Sequence, residues 1–230
     1  EVLVQLAPYQ ACLNLLRVAL GEGEGFIKIT GEVGTGKTLL CRALLNLGRF
    51  EESMRDAQAA LLLPELLDAE RLEMLDLTFV SHHNAGRTEA AMAQVDAALV
   101  LARRMGDRHG IARGRSRRGI QLIKLHDLAG AEAELLGAAD ECAQLGSVQL
   151  ERVVVYNLSC VYASQGQHRQ ALAALRRGVA LSPPMQPGPT SVMYDVATVS
   201  ALFALGELGA AWRETVLLAK AALAENDMVV

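Results

Sequence analysis

"ERVVVYNLSCVYASQGQHRQALAALRRGVALSPP", residues 151–184, decides the fold. It reads as two helix-length apolar segments joined at Gly166. In the first, Val155, Leu158, Ser159 and Tyr162 recur at the three- and four-residue spacing of one helix face. In the second, Ala171, Leu175 and Gly178 stand 5, 9 and 12 residues beyond Gly166 and share one stripe. Small residues on that stripe let a neighbouring helix approach closely.

The same arrangement recurs along the chain. "LGRFEES" at Gly48, "NAGRTEAAM" at Gly86, "LHDLAGAEAEL" at His126 and "ALGELGAAW" at Gly206 repeat the turn, with anchors 38, 40, 40 and 40 residues apart. The small residue five places on is Ser53, Ala91, Ala131, Ala171 and Ala211 in turn. Four places later come Ala57, Val95, Leu135, Leu175 and Thr215, and three more bring Ala60, Ala98, Ala138, Gly178 and Leu218. One helix pair cannot bury its apolar stripe alone, so neighbouring pairs must stack. The expected fold is mainly α, a right-handed α-solenoid of about five helix pairs.

Composition agrees. The 230 residues include 36 Ala and 38 Leu, the best apolar helix formers, against 4% aromatics, which excludes an all-β fold. With 51% hydrophobic residues and a net charge of −4, the chain is not of disordered composition. The charge argues against a general nucleic-acid binder, and no nucleic-acid partner is expected. No run of about 18 apolar residues exists, so no membrane span is expected. Cys12, Cys41, Cys142 and Cys160 show no C-x-x-C spacing, which gives neither a zinc site nor a redox motif. In apolar surroundings these thiols act as small hydrophobes, which fits a reducing, cytoplasmic location. The chain begins at Glu1 without a signal peptide and reads as a piece of a longer protein.

Residues 48–225 resemble the tetratricopeptide repeat (TPR), in the long-period form of MalT-like regulators and bacterial signal-transduction ATPases. Pro183 falls where that pattern has its terminal proline, and Pro64 lies one place early. Arg115 and Arg118 depart from it by standing at apolar or small positions, and His126 replaces the turn glycine. The resemblance implies a protein or peptide partner in a concave groove lined by the leading helix of each pair. The groove positions it implies are Glu73, Asp76, His83 and Asn84, then Arg113, Ser116 and Lys124, then Tyr156 and Cys160, then Met193 and Phe203. Such a surface runs from acidic through basic to apolar and suits a peptide with one charged and one hydrophobic end, anchored by Tyr156 and Phe203. The alternative is that these two aromatics pack between repeats.

A second motif precedes the repeats. In "GFIKITGEVGTGKTLLCRALLN", residues 25–46, a β-rich run leads into Gly31, Gly34, Gly36, Lys37 and Thr38, which fit G-x-x-x-x-G-K-[ST]. Gly31, Gly34, Thr35 and Gly36 would turn backbone amides toward phosphate oxygens, Lys37 would supply charge to them, and the Thr38 hydroxyl would ligate Mg. The expected cofactor is ATP or GTP with Mg, held by a strand–P-loop–helix segment over residues 1–47, ahead of a repeat domain over 48–230. Residues 8–46 resemble the N-terminal ATPase segment of secretion-pathway and MSHA-type pilus-biogenesis proteins. A Walker B strand is missing. Its nearest candidate, "LEMLDLTF" with Asp76, reads as a repeat helix. Leu40, Cys41 and Leu44 fall where the first repeat needs its leading helix.

The expected function is therefore a TPR-type interaction scaffold carrying a P-loop, part of a larger bacterial ATPase or regulator. The alternative is a secretion- or pilus-type ATPase with accessory repeats. A truncated fusion, an excerpt of a longer sequence, or a relic loop would each explain the junction. Arg108, His109, Arg113, Arg115, Arg117, Arg118 and Lys124 form a basic stretch that reads first as a solvated helix face and second as a phosphate or acidic-partner contact. "SPPMQPGPT", residues 182–190, reads as a connector.

Overall fold

The computed structural model describes residues 41, 44, 45, 47–181 and 189–227, with side chains described up to residue 181 and again over 193–220. Every element among them is an α-helix. In chain order these are α1 (Phe50–Leu61), α2 (Asp68–Asn84), α3 (Thr88–Met105), α4 (Arg108–Lys124), α5 (Leu128–Leu145), α6 (Val148–Ser164), α7 (His168–Ala180), α8 (Pro189–Ala204) and α9 (Leu208–Asp227). They divide into two compact units, residues 1–110 and 111–230.

The five turns read from sequence are built alike. Gly48, Gly86, His126, Gly166 and Gly206 all take positive φ, between 61 and 75°. In each, the next residue's N–H donates to the carbonyl five positions earlier: Arg49 to Leu44, Arg87 to His82, Asp127 to Leu122, Gln167 to Tyr162 and Glu207 to Leu202, at 2.8–3.0 Å. This is the Schellman closure, which satisfies carbonyls that a helix end would otherwise orphan. His126 is the one non-glycine in this conformation among the described residues. The connections between pairs repeat the device at Gly106 and Gly146, with Asp107 donating to Ala102 and Ser147 to Cys142.

In the first unit, helical residues Cys41, Leu44 and Leu45 lead into the Gly48 turn. Cys41 is fully buried with Ala57, Ala60, Met74 and Leu77. Its carbonyl accepts a 2.9 Å bond from the buried hydroxyl of Ser53, the small residue of that repeat. Cys41, Leu44 and Leu45 thus stand on the leading helix of the first pair, as the register requires. The expectation of a strand–P-loop–helix segment ahead of the repeats is corrected here. No strand occurs among the described residues, and Gly31, Gly34, Thr35, Gly36, Lys37 and Thr38 lie outside them. A P-loop functions where a parallel sheet holds the loop against a helix N-terminus. The described residues supply helices only, and the fold class they show is a mainly-α array of helix pairs.

In the second unit, one core joins Ala112 of α4, Ala131, Leu135 and Cys142 of α5, and Val154, Leu158 and Val161 of α6. Another joins Val155 of α6, Leu172 and Leu175 of α7, Tyr194, Ala201 and Leu202 of α8, and Ala211 of α9. Across both units the small-residue stripe is buried: Ser53, Ala91 and Ala131 completely, and Ala171 and Ala211 nearly so. Thr215, at the next stripe position, is exposed on α9. The Arg115 departure is compensated locally. Its guanidinium lies over Gly137, where any Cβ would collide with it, and donates to Glu134 at 3.0 Å. Arg118 stands 3.9 Å from the same carboxylate.

A Cβ added at Gly166 would meet nothing within 4 Å, so its substitution tests the backbone alone. An L-residue in the left-handed region costs about 1–2 kcal/mol. Gly166→Ala should lower stability by about 1 kcal/mol. His126→Gly should raise it by up to about 1 kcal/mol, less the extra chain entropy of glycine. Urea denaturation midpoints of the two variants check both signs.

Candidate functional site

The leading-helix positions are described for each unit separately. On α2 of the first unit, Glu73, Asp76 and His83 are half-buried and Asn84 is exposed. His83 stacks on Phe79, with ring centroids 5.6 Å apart. Its neighbour His82 points inward and is 7% exposed. There it accepts at Nδ1 from Arg87 Nε at 3.1 Å, while the same guanidinium reaches Glu51 at 2.6 Å and Met54 Sδ at 3.4 Å. One arginine on the turn therefore links α1 to α2. Burial and the Arg87 charge, in that order, hold the His82 pKa below the ordinary histidine value, while Glu51 pulls the other way.

In the second unit, Arg113 is half-buried on α4 and Lys124 is exposed at its end. Ser116 is 2% exposed and contributes packing rather than surface. Tyr156 on α6 is half-buried and meets Tyr194 of α8 edge-on, with centroids 5.4 Å apart. Tyr194 is 2% exposed. Its hydroxyl donates to the Arg152 carbonyl, and the Arg152 guanidinium sits 6.0 Å from its ring centre. Burial above all pushes the Tyr194 pKa up to about 12, so the phenol stays a hydrogen-bond donor. Tyr156 is thus partly a packing residue between pairs. Phe203 is 68% exposed, and Met193 and Val196 of the same helix are half exposed.

The basic character of α4 is partly answered within the fold, since Arg115 and Arg118 face Glu134. An ion pair that sequence reading missed joins α6 to α7. Glu151 is 6% exposed and accepts from Arg177 Nε at 3.0 Å and Nη2 at 2.5 Å. A buried carboxylate requires such a partner. Burial pushes the Cys41 thiol up to about 12 and Cys142 to about 11, which keeps both uncharged and unreactive.

The expected ATP or GTP with Mg is corrected. Asp76, the nearest candidate for a metal-binding carboxylate, lies within α2 and not at a strand end. Among the described residues no group of His, Cys, Asp and Glu could hold a metal ion. Mg and nucleotide need a fixed carboxylate beside a phosphate cradle, and no described element provides one. Among the described residues no helix is long and apolar enough to cross a membrane.

The sequence model of the tetratricopeptide repeat family matches residues 154–184. No curated protein matches the sequence. Solved structures match the fold. BtubC from P. vanneervenii aligns with TM-score 0.72 and 16% identity, over 96% of this chain and 91% of that one. The Rap conjugation gene regulator of plasmid pLS20, solved with a Phr peptide, aligns with TM-score 0.70 and 15% identity, over 99% of this chain and 66% of that one. A Rap protein complexed with competence and sporulation factor aligns with TM-score 0.65 and 18% identity, over 93% of this chain and 60% of that one. The chain thus spans about two thirds of the lengths of these Rap proteins. These likenesses place the chain's architecture among TPR-like helical repeats. They replace the resemblance to secretion and pilus-biogenesis ATPases, for which the matched family and folds give no support.

Two outcomes follow from this geometry. A Cβ at Gly178 would overlap the Tyr194 ring, so Gly178→Ala should cost about 1–3 kcal/mol by overpacking. Near-ultraviolet circular dichroism should report loss of the fixed tyrosine environment. For His82, the unfolded chain takes up a proton at the ordinary histidine pKa while the folded site resists it. The unfolded state therefore binds more protons below about pH 6.5, and stability falls as pH drops through that value toward the depressed one. Urea midpoints at pH 7.5 and 5.0 should differ more for wild type than for His82→Gln.

Proposed function

We propose that the chain is a protein-interaction scaffold whose leading helices hold a peptide or protein segment. The observation that carries this reading is the surface of α8. Met193, Val196 and Phe203 fall within one face of that helix and all three stand exposed, while Ala201 and Leu202 beside them are buried. Exposed apolar side chains gathered on one helix face mark binding surfaces. The repeat register read from sequence assigns Arg113, Lys124 and Tyr156 to the groove positions of α4 and α6 in the same unit, and Glu73 and Asp76 to those of α2 in the other unit.

Two fold relatives support a peptide as the partner class, since one Rap protein was solved with a Phr peptide and another with competence and sporulation factor. Buried aromatic anchors commonly contribute about 2 kcal/mol or more to such complexes. Tyr156 also packs on Tyr194, so Phe203 is the cleaner probe.

Immobilised full chain should capture a partner from the source cell, and the Phe203→Ala/Met193→Ala variant, with its circular dichroism unchanged, should bind it at least about tenfold more weakly. A folded double variant that retains the partner fully would refute the α8 surface as its site.

A further inference from the structure

The pair α6–α7 shows which surface one helix pair offers to the next. Cys160, Ala163 and His168 face Ala197, Ser200 and Ala204 of α8. Leu172 and Leu175 share a core with Tyr194 and Ala201, and the Tyr194 ring lies over Gly178. The anchors Gly166 and Gly206 stand 40 residues apart, so each of these positions has a counterpart on α8–α9. Ala163, His168, Leu172, Leu175 and Gly178 become Phe203, Leu208, Trp212, Thr215 and Leu218.

Covered on one pair, this surface is bare on the other. Leu172 and Leu175 are 5% and 1% exposed, whereas Trp212 is 69%, Phe203 68% and Leu208 59% exposed. These three large apolar side chains therefore hold stacking positions, on both helices of the pair. A surface of this kind is complementary to a helix, laid along α8 as α8 is laid along α6.

Two substitutions specify that helix. Tyr194 sits beside Val155 in the α6–α8 core and needs the gap at Gly178. Forty residues on, Asp195 stands for Val155 and Leu218 for Gly178. Leu218 fills the gap, so an aromatic ring has no place there. Asp195 and Glu214 occupy the two positions where α4–α5 sets Arg115 against Glu134 at 3.0 Å. Desolvation and then the Glu214 charge push the Asp195 pKa up, with no cation opposing them. What fits beside them is a slender stem ending in a cation, Lys or Arg.

A second copy of the chain does not bring one. The cations of α8–α9 are Arg213 and Lys220. Their counterparts Ala133, Asp140, Ala173 and Ala180 stay exposed in pairs that a neighbour already covers. Arg213 and Lys220 thus belong to the outer face of α9, and a like surface laid on this one carries no cation to Asp195.

We infer that α8–α9 docks a helix of a partner protein, laid along α8 and carrying Lys or Arg opposite Asp195 and Glu214. Small residues three, six, seven and ten places after the cation let it lie close over Phe203, Leu208 and Trp212, as Ala197, Ser200, Ala201 and Ala204 follow Tyr194 on α8. This rests on the scaffold reading above and names the partner's secondary structure and charge.

Trp212 is the one tryptophan of the chain, so its fluorescence reports on this face alone. The dilute full chain should show a water-exposed indole open to acrylamide quenching. The probe is a peptide of residues 189–204 with Tyr194→Lys, which holds small residues at the required spacing and no tryptophan. It should shift the Trp212 emission to the blue and shield it from acrylamide. The Tyr194→Glu peptide should bind about tenfold more weakly, since it sets like charges together. The chain variant Asp195→Lys/Glu214→Lys, changed at two exposed positions, should reverse that preference.

An indole already shielded in the dilute chain overturns the inference, because the face is then taken. Shielding that grows with chain concentration, with sedimentation as a dimer, overturns it in favour of a second copy. Failure of the Lys peptide to shield Trp212, or equal shielding by the Lys and Glu peptides, overturns it as well. If the peptide fails while Phe203→Ala/Met193→Ala still weakens capture, the docked helix falls and the scaffold reading stands. Shielding by the peptide with capture undiminished in that variant upholds the helix site and refutes the α8 surface as the site of capture.

Discussion

One backbone hydrogen bond organises the whole chain, the bond from the residue after each turn to the carbonyl five positions back. It requires a left-handed residue in between, which is why glycine stands at four of the five turns. Because it fixes where the leading helix stops, it fixes the phase of the helix that follows. The residue five places on then falls on the inward face, and all five such residues are buried. Ser53 shows this most directly, for its hydroxyl touches the Cys41 carbonyl across the first turn. A helix end closed elsewhere by a single residue would rotate the next stripe by about 100° and expose it.

Within that frame, bulk is exchanged locally. Tyr194 occupies space that Gly178 leaves open, and Arg115 occupies space left by Gly137. The buried Tyr194 ring requires this pairing, since it would overlap any Cβ at position 178, whereas the Arg115 guanidinium is the movable end of a half-exposed side chain. The arginine also explains how a charged residue can stand at a position that a TPR pattern gives to a small one. Its guanidinium lies over a glycine and reaches Glu134 at the edge. His126 is a similar local departure, with the backbone conformation kept and the residue that best suits it lost.

The turns, the small-residue stripe and the helix pairing were legible in the sequence because each depends on short-range spacing. Gly86, Ala91 and Val95 announce a closed turn and a buried stripe without reference to anything distant. What depends on a neighbouring pair was not legible. Nothing in "YNLSCVY" shows that Tyr156 meets Tyr194 thirty-eight positions away, or that Glu151 meets Arg177. The glycine-rich motif at residues 31–38 failed for the converse reason. A short pattern names residue types, but a phosphate cradle is a property of the sheet and helix that hold it. The described residues supply helices alone, and Cys41 and Leu44, just after the motif, belong to the first repeat.

The register that makes the fold legible also separates structure from surface. Positions facing the paired helix are held small or apolar in each repeat but the last, where Thr215 is exposed, since a mismatch there costs packing in two helices at once. Other positions on the leading helix vary more between repeats. There the chain moves from Leu77 and Val80 to Arg117 and Ile120 and then to Ala197 and Ser200 with no change in the turn. Differences between repeats at these places cannot be explained by the needs of the turn or the stripe. Those that stand exposed, such as Phe203 on α8, are where a partner can be met without cost to the core.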